Sequence, residues 1–547
     1  MSQEIRSPGA IRRGISRTIL STNEKGEAVP RPKTWGKIQV ICFSANFCIG
    51  TGFLTLPHAM LQSGYLLGPM VVLFTGMLST MAMQCLLEAM ARAVPLLEIK
   101  KKITINSLKA STTDGFSKYE SGNIMYGSLL EMDSEDDRGS MDLDSDSSEF
   151  SKKTTEIPKA DFSQKKLVIG EDRIELPALC DLYLGNSGKT AYTVIISFYI
   201  VATLWSFAVI VGQTFSLALP LSPDQGEESI KLSYWFYLSV YGVIVIYLAT
   251  QDVSGPFMTN VSMMFSLGRV VTVLLMAVTL LIALWTMVNM SENNVDINHA
   301  VFVPDVEARM FDFSGVLITL PISLFAMIFH HSIPTLSEPA IHKEKVGEYY
   351  AMTILLVIIA YLFISVPAII YFGSEVEGCV SLNWVSYEPH YYAPLAGVFR
   401  NIIIFFPAFS LLSSYPLMCI TLSNNILSFG VPFPETVVRL IAAVPPLLFA
   451  AIGTDLTTVA AIGGVLGFLI ALIFPVLLQR ASLKAMEAQF GAGSSDTVYS
   501  SCLTRSTLAV GCLGAFGTFL LVASSIQIVY SFTKAFWEQF DTNPEWG

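Results

Sequence analysis

Two glycines flank a threonine in the middle of the first long apolar run of the chain, residues 38–60. Glycine lets a backbone leave helical geometry at little steric cost, and an opened backbone inside hydrocarbon must be packed in protein or line a polar cavity. The amides of an opened backbone at a helix N-terminus attract a carboxylate, and the carbonyls of that backbone attract an ammonium group. Gly50, Thr51 and Gly52 are therefore candidate binding residues for a zwitterion such as a free amino acid. The alternative is a small-residue face for helix packing.

A second interrupted segment lies near the middle of the chain and reads Phe-His-His-Ser-Ile-Pro at residues 329–334. Histidine is costly in a membrane span, so Phe329, His330 and His331 are predicted to line a polar cavity or a proton path. The alternative is a helix kinked by Pro334 in which both histidines are bonded structurally. Two interrupted spans at corresponding places in two halves indicate a transporter site between inverted repeats.

Other polar residues inside apolar runs extend the candidate site. Asn46 lies one turn before the first glycine, on the same side of a helix, so its amide oxygen can face a bound cation or ligand or bond a neighbouring helix. Trp205 is either a wall of the pocket or an ordinary packing residue. Ser410, Ser413 and Ser414 lie within two helical turns and offer hydroxyl oxygens to Na+, although serines in such helices often bond their own backbone.

The composition predicts a membrane protein. Hydrophobic residues make up 52% and charged residues 14% of the 547 residues, and the mean hydropathy is +0.55. A soluble domain cannot cover so much apolar surface. Apolar stretches of about twenty residues recur about eleven times, so we predict an all-α integral membrane protein. The predicted spans, in chain order, lie near residues 38–60, 66–94, 190–219, 233–249, 262–289, 313–335, 351–372, 395–424, 436–452, 456–478 and 506–531.

The segments outside the spans predict the orientation. The tail 1–36 is rich in arginine and lysine, so by the positive-inside rule it lies in the cytosol. With an odd number of spans, the tail 532–547 then lies on the other side. Segment 95–170 is rich in serine, threonine and acidic residues, and both it and the N-terminal tail are predicted to be disordered and cytosolic. Residues 37–94 form the first two spans, and residues 171–531 form the rest of the core.

Shorter features carry weaker predictions. A short helix on the inner membrane surface is expected just before the third span, ending at Gly185. In the acidic segment, a tetrapeptide that begins with Tyr126 and ends with Leu129 has the form of a signal for cytosolic sorting adaptors, although patterns of this length also arise by chance. Four charged residues near inner ends of spans are either pairs of an intracellular gate or solvated charges: Glu88, Arg269, Glu338 and Arg439.

Several short blocks resemble a known family. The segment around the two glycines and a glycine-rich stretch of the tenth span are similar to the first and tenth helices of the amino acid/auxin permease family, whose members have an amino acid transporter transmembrane domain. Within that family the chain is similar to the transmembrane protein 104 group. The blocks are Asn-Phe-Cys-Ile-Gly-Thr-Gly-Phe-Leu-Thr-Leu-Pro at 46–57, Gly463 with Gly464, Gly467 and Pro475, Leu-Glu-Ala-Met at 87–90, Asp-Phe-Ser-Gly-Val at 312–316, His-Ser-Ile-Pro at 331–334 and Phe-Pro-Ala-Phe-Ser at 406–410.

The resemblance implies a LeuT-like fold, in which spans one to five and spans six to ten form an inverted repeat and one helix is added at the C-terminus. It also implies secondary active transport of amino acids, coupled to Na+ or H+, with no other cofactor and no metal centre. In sodium-coupled relatives an asparagine placed like Asn46 and a hydroxyl residue of the eighth helix, here Ser410, bind the ion. Threonine is common where Ser410 stands, which leaves the coupling ion open.

We therefore interpret the chain as a secondary transporter of amino acids or related small organic solutes that works by alternating access in a plasma, endolysosomal or vacuolar membrane. Its expected partners are a small-molecule substrate and membrane lipid, and no nucleic acid. The sequence has no P-loop, HExxH or GxSxG motif, so no enzyme is expected. Two other classes stay open: a nutrient sensor or membrane scaffold on the same fold, and, less favoured, a channel.

Overall fold

A computed structural model describes residues 35–113, 166–171, 173–222, 226–251, 256–292, 309–386, 393–453, 455–491 and 493–541. Within these ranges ten helices are long and apolar enough to cross a membrane, and a bent pair of shorter helices adds an eleventh span. The prediction of an all-α integral membrane protein with about eleven spans is confirmed. Each observed span overlaps the apolar stretch that predicted it.

The spans are numbered in chain order, and three of them are built from two helices. The side of the membrane on which span 1 begins is called the N-terminal side, and the opposite side is called the far side. The spans are: span 1, Lys37–Cys48 and Gly52–Ser63; span 2, Leu67–Thr113; span 3, Leu176–Ala218; span 4, Glu227–Thr250; span 5, Pro256–Glu292; span 6, Val316–Met327 and Ile333–Ser337; span 7, Val346–Phe372; span 8, Ala393–Leu427; span 9, Glu435–Ile452; span 10, Leu456–Phe468 and Phe474–Phe490; span 11, Thr507–Asp541.

Span 1 is broken where the glycines predicted it. Its two halves meet at an angle of 62°. Ile49 leaves helical geometry with φ −75° and ψ 67°, and the amide of Gly50 donates to the carbonyl of Cys48 at 2.7 Å instead of continuing the helix. The second half starts again at Gly52. The predicted opening of the first span is therefore confirmed.

Span 6 is also interrupted, and its break begins one residue before the predicted segment. Ile328 is extended, with φ −80° and ψ 115°, and Phe329 has φ −133° and ψ 5°. A single 3-10 turn follows, and then the short second helix of the span begins. Pro334 lies in the first turn of that helix, where its missing amide proton removes no hydrogen bond. The proline therefore begins the second half and does not itself break the span.

The packing between spans repeats in the two halves of the chain. Span 3 packs on span 4 as span 8 packs on span 9, and span 3 packs on span 9 as span 8 packs on span 4. Span 2 packs on spans 6 and 10, while span 7 packs on spans 1 and 5. Spans 1 to 5 and spans 6 to 10 therefore occupy equivalent positions, and span 11 is an addition that packs mainly on span 10.

One pair of contacts departs from this repeat. On the far side, the first half of span 10 packs tightly on the first half of span 6. A Cβ on Gly464 would collide with the carbonyl of Pro321, and a Cβ on Gly463 would lie 2.7 Å from the ring of Phe325. The equivalent pair, the first half of span 1 and span 5, makes no comparable contact in the described part of the chain. This far-side contact thus has no described counterpart on the N-terminal side.

Two boundaries on the N-terminal side differ from the sequence-based ones. The helix of span 2 continues to Thr113, so residues 95–113 extend that helix and do not belong to the loop predicted from residue 95. At the other end of that predicted loop, Leu167 is buried and bridges to Thr497 in the segment after span 10. Residues 114–165, which include the predicted sorting motif, lie outside the described residues.

A short helix before the third span, ending at Gly185, is confirmed, while its place on the inner membrane surface stays a prediction. Span 3 begins at Leu176, and Gly185 interrupts it with φ +71° and ψ −174°. A positive φ strains any residue with a Cβ, so glycine permits the turn between the short helix and the long membrane helix.

Candidate functional site

The two interrupted spans touch at their breaks. A Cβ built on Gly52 would lie 2.5 Å from the Cα and 2.8 Å from the amide nitrogen of Ala326, so the backbones of spans 1 and 6 are in direct contact. Beside this contact, the Cys48 thiol points at the carbonyl oxygen of Met327 at 3.9 Å. Glycine at residue 52 permits this approach. The structure therefore brings together the two segments that the sequence marks as candidates.

A tyrosine of span 7 joins the two breaks. The hydroxyl oxygen of Tyr361 lies 2.9 Å from the carbonyl oxygen of Cys48 and 2.6 Å from that of Ala326, and the side chain is buried. Both carbonyls belong to the last turns of first-half helices, where the helix itself supplies no donor. A hydroxyl has one proton and donates to one carbonyl at a time. The Cys48 carbonyl also accepts from the amide of Gly50 at 2.7 Å, so both carbonyls have a donor when the hydroxyl proton is on Ala326.

The helix ends at the breaks give the site two poles. The first halves of spans 1 and 6 end beside each other, and helix C-termini carry partial negative charge. The second half of span 1 begins at Gly52, and the N-terminus of a helix carries partial positive charge. The second half of span 6 is a five-residue helix whose first amides are bonded to His330 and Phe329 or are absent at Pro334, so it adds little to this end. An ammonium group fits the pair of C-terminal ends, and a carboxylate fits the N-terminal end at Gly52.

Gly50 and Thr51 have different surroundings. Gly50 is half-buried, and the nearest atom to a Cβ built on it is the carbonyl oxygen of Cys48 at 4.0 Å, so a methyl group fits there without a clash. Thr51 is buried, and its hydroxyl lies 3.3 Å from the hydroxyl of Ser206 on span 3. Thr51 therefore ties the break to span 3, while the backbone at Gly50 is not crowded.

Several buried polar atoms close to the breaks have no hydrogen-bond partner in the described part of the chain. They include Oδ1 of Asn46, predicted from the sequence, and the hydroxyls of Ser44 and Ser323, which are four residues before the ends of the first-half helices. Buried polar groups are normally paired, so unpaired ones beside a break indicate where a ligand, an ion or water binds.

The two histidines point in different directions, as expected for adjacent residues. His330 is buried, with Nε2 3.1 Å from the carbonyl oxygen of Ser79 on span 2, and its ring packs on Phe329. The ring of His331 lies 5.7 Å from that of Tyr199 on span 3. His330 therefore has a structural partner through Nε2, and Nδ1 of each histidine is buried and has no partner within the described ranges.

The serines of span 8 bond their own helix. Ser410 donates to the carbonyl of Pro407 at 2.8 Å, and Ser413 donates to that of Ser410 at 2.9 Å. Ser414 accepts a bond from the guanidinium of Arg269 on span 5 at 2.8 Å. A cation at Ser414 would meet that positive charge. This arrangement disfavours the Na+ site expected at these three serines and matches the alternative that they bond their own backbone.

The predicted wall residue Trp205 lies towards span 9. Its indole nitrogen donates to the carbonyl of Gly453 at 3.1 Å, and its ring packs on Phe449 with 5.6 Å between centroids. The contacts of the indole are thus with span 9 and not with the breaks. It is Ser206, the next residue, that reaches Thr51.

Two members of this site were not among the sequence candidates. Tyr361 lies in an apolar run where a tyrosine reads as a packing residue, and nothing in the sequence connects it to carbonyls of spans 1 and 6. The other is Arg269, which was placed among the charges near inner span ends.

Of the remaining charges in that group, Glu88 pairs with Arg92, Glu338 lies 3.8 Å from Arg173, and Arg439 pairs with Glu435.

Comparison with known proteins finds relatives with one shared name. No family model matches the chain. It is 24% identical to human transmembrane protein 104 over 528 residues, which cover 92% of this chain and 98% of that protein. It is 22% identical to the transmembrane protein 104 homolog of Drosophila melanogaster over 499 residues, which cover 85% of this chain and 92% of that protein. It is also 22% identical to the transmembrane protein 104 homolog of Dictyostelium discoideum over 426 residues, which cover 72% of this chain and 76% of that protein. The similarity to the transmembrane protein 104 group indicated by the short blocks is confirmed, and the wider resemblance to permeases stays a prediction.

Proposed function

We propose that this membrane protein is a secondary active transporter that moves amino acids or related small organic solutes by alternating access. The observation that carries the proposal is the meeting of two interrupted spans at their breaks, bridged by the buried hydroxyl of Tyr361. Broken backbone inside a membrane is tolerated where it lines a cavity or binds a ligand. A packing role alone requires neither break.

The polarity of the site supports a zwitterionic solute. Two helix C-termini favour an ammonium group, and the helix N-terminus at Gly52 favours a carboxylate. An amino acid presents both charged groups on one carbon, which matches helix ends of opposite partial charge at one break.

The packing supports an inverted repeat of the LeuT type. Spans 1 to 5 and 6 to 10 make equivalent contacts, but the contact between spans 6 and 10 on the far side has no comparable counterpart between spans 1 and 5. Exchanging the conformations of the two halves would close the N-terminal side and open the far side. Alternating access around a fixed site requires two such arrangements.

The proposed coupling ion is H+ or Na+, and H+ is the one that we expect. The guanidinium of Arg269 at Ser414 stands where Na+ was expected. The N-terminal side is proposed to be cytosolic, and the membrane to be plasma, endolysosomal or vacuolar. No enzymatic activity or cofactor is proposed.

Reconstituted protein tests the proposal. Purified full-length chain in liposomes is offered a panel of radiolabelled amino acids, first with an inward H+ gradient, then with an inward Na+ gradient, and then with neither. We expect uptake of one or more of these solutes above that of empty liposomes and stimulation by the H+ gradient. Binding of a solute without movement under any gradient would contradict the proposal and favour a nutrient sensor.

A further inference from the structure

A wide apolar groove lies between four spans and opens towards the surrounding bilayer. Its volume is about 580 Å³, and its walls belong to spans 3, 9, 10 and 11. Three of its residues are exposed on the outside of the spans, Phe198, Phe449 and Val529, so the groove continues the apolar surface that faces lipid. The molecule that fills such a groove is a component of the bilayer.

The long helices each contribute one face to the groove. On span 3 the lining residues are 198, 201, 202 and 205, and the lining residues of spans 10 and 11 repeat the same spacing of three and four. Residues at these spacings share one side of a helix. Span 11, the helix outside the repeat, packs on spans 10 and 6 and leaves the gap towards spans 3 and 9. The groove therefore follows from the place of span 11 in the bundle.

The groove occupies the far-side leaflet. Ile462 and Leu466 follow the far-side start of span 10 at Leu456 by 6 and 10 residues (462 − 456 and 466 − 456), or about 9 and 15 Å at 1.5 Å per residue. The hydrocarbon of a bilayer is about 30 Å thick, so Leu466 lies near its middle. Ser525 follows Thr507, at the N-terminal-side start of span 11, by 18 residues (525 − 507), or about 27 Å. Ser525 therefore lies near the far-side edge.

One hydroxyl at this edge can take a further hydrogen bond. Among the described residues of the lining, Ser525 is the one with a hydroxyl, and it donates to the carbonyl of Leu521 at 2.6 Å. A hydroxyl oxygen that donates one bond can still accept another. The indole nitrogen of Trp205 already donates to the carbonyl of Gly453, so this residue contributes its ring. The groove thus fits an apolar body that has one donor at the far-side edge.

The size and the walls of the groove favour a rigid, flat body. The rings of Trp205 and Phe449 lie 5.6 Å apart between centroids, and Phe198 is on the same face of span 3 as Trp205. A cavity of about 150 Å³ takes one benzene ring, and this groove has about four times that volume. A sterol has four fused rings, spans one leaflet and carries one hydroxyl at its outer end. A flexible acyl chain loses rotational freedom when it is held in a groove, and fused rings have little to lose.

We propose that this groove is a sterol-binding site of the far-side leaflet, in which the fused rings lie against Trp205 and Phe449 and the sterol hydroxyl donates to Oγ of Ser525. Binding is non-covalent. The residue after Trp205 is Ser206, whose hydroxyl contacts that of Thr51 at the break of span 1, so a bound sterol supports span 3 beside the candidate site. The proposal goes beyond the proposed transport function and does not depend on it.

A photoreactive sterol tests the site directly. Purified full-length chain in phosphatidylcholine liposomes is irradiated with a sterol that carries a diazirine on its ring system, and the labelled peptides are identified by mass spectrometry. We expect label in the lining segments of spans 3, 10 and 11, and suppression of that label by an excess of unlabelled sterol. Equal labelling of all lipid-facing spans would overturn the proposal, since the sterol would then act only as solvent.

A photoreactive phospholipid distinguishes a sterol from an acyl chain. Phosphatidylcholine with a diazirine on its acyl chain is used in place of the sterol probe, with and without unlabelled sterol. We expect sterol to reduce the labelling of the lining segments and to leave that of the other spans unchanged. Label in the lining segments that sterol does not displace would assign the groove to an acyl chain and overturn the proposal.

A side chain that fills the groove should block the sterol label. Val465→Trp adds an indole to the wall on span 10, and Ile359→Trp adds the same group at an exposed position of span 7, outside the groove. We expect the groove label to be lost in Val465→Trp and kept in Ile359→Trp. Ile528→Trp fills the groove from span 11 and replaces Val465→Trp if the unfolding temperature shows that the latter does not fold. Wild-type labelling in a folded groove-filling variant would contradict a sterol site here.

The hydroxyl end is tested with a sterol and its methyl ether as competitors of the photoreactive sterol. The ether has no proton to donate to Ser525, so the wild type should prefer the free sterol by about two- to tenfold, the range for one hydrogen bond. Ser525→Ala should lose this preference, and Ser531→Ala, at an exposed position of span 11, should keep it. A preference that is unchanged in Ser525→Ala would overturn the placement of the sterol hydroxyl.

Discussion

The breaks of spans 1 and 6 differ in what surrounds them. A Cβ built on Gly50 lies 4.0 Å from the carbonyl oxygen of Cys48, so a methyl group fits there without a clash, and the bend at that break is 62°. At the break of span 6, Phe329 is fully buried and packs on His330 and Tyr350. Span 1 thus provides uncrowded backbone groups, and span 6 provides a packed wall. The two breaks are therefore unlike parts of one site.

The largest effect on stability is expected where the two breaks touch. Gly52→Ala places a Cβ 2.5 Å from the Cα of Ala326, and backbone atoms cannot move aside as a flexible side chain can. We expect a loss of about 1–3 kcal/mol, typical of overpacking, seen as a lower unfolding temperature in detergent. Gly397→Ala, in span 8 with nothing within 4 Å, is the control and should unfold like the wild type. Equal stability of the two variants would show that the spans do not pack as described.

The next effect concerns the residue that joins the breaks. Tyr361→Phe removes the donor shared by the carbonyls of Cys48 and Ala326, and a lost buried hydrogen bond costs about 1–3 kcal/mol. A transported amino acid should restore part of the loss, because its ammonium group donates to the same carbonyls. Tyr530→Phe, exposed on span 11, is the control for losing a tyrosine hydroxyl. Destabilisation that no solute reduces would separate Tyr361 from the binding site.

Asn46→Leu should separate binding from stability. The amide oxygen of Asn46 has no partner in the described structure, so its removal should leave the unfolding temperature within the range of surface substitutions, about 0.5 kcal/mol either way. Uptake should fall if that unpaired oxygen binds the solute or the coupling ion, as proposed. Thermal unfolding and uptake are measured on the same preparation. A large loss of stability with normal uptake would show that Asn46 bonds a neighbouring helix.

The smallest effect is expected on span 8. Ser413→Ala removes a hydroxyl that bonds only its own helix among the described contacts, so stability should change by less than about 0.5 kcal/mol. Uptake of the solute found in the panel should be the same when Na+ is replaced by choline, in the wild type and in this variant. A Na+ requirement that disappears in Ser413→Ala would restore the sodium site at these serines.

The sequence predicts the parts of this molecule that depend on local composition. Apolar stretches locate the spans because a membrane helix must be apolar along its length, and the glycines around Thr51 locate the break because backbone freedom is a local property. Tyr361 could not be found in this way, since its carbonyl partners lie more than thirty residues from it along the chain. The hydrogen bond from Gln479 to Glu88 joins residues almost four hundred positions apart, and the serines of span 8 reveal their bonds only when the helix is built.

Uptake by Gly50→Val in liposomes tests the central claim most directly. A Cβ at Gly50 meets nothing closer than 4.0 Å, so we expect the variant to insert and unfold like Gly397→Val, its matched control in span 8. The branched side chain would occupy the space assigned to the solute, so we predict that uptake is lost in Gly50→Val and retained in Gly397→Val. If Gly50→Val takes up solute at the wild-type rate, with equal protein per liposome, the result would contradict a solute site where the two breaks meet.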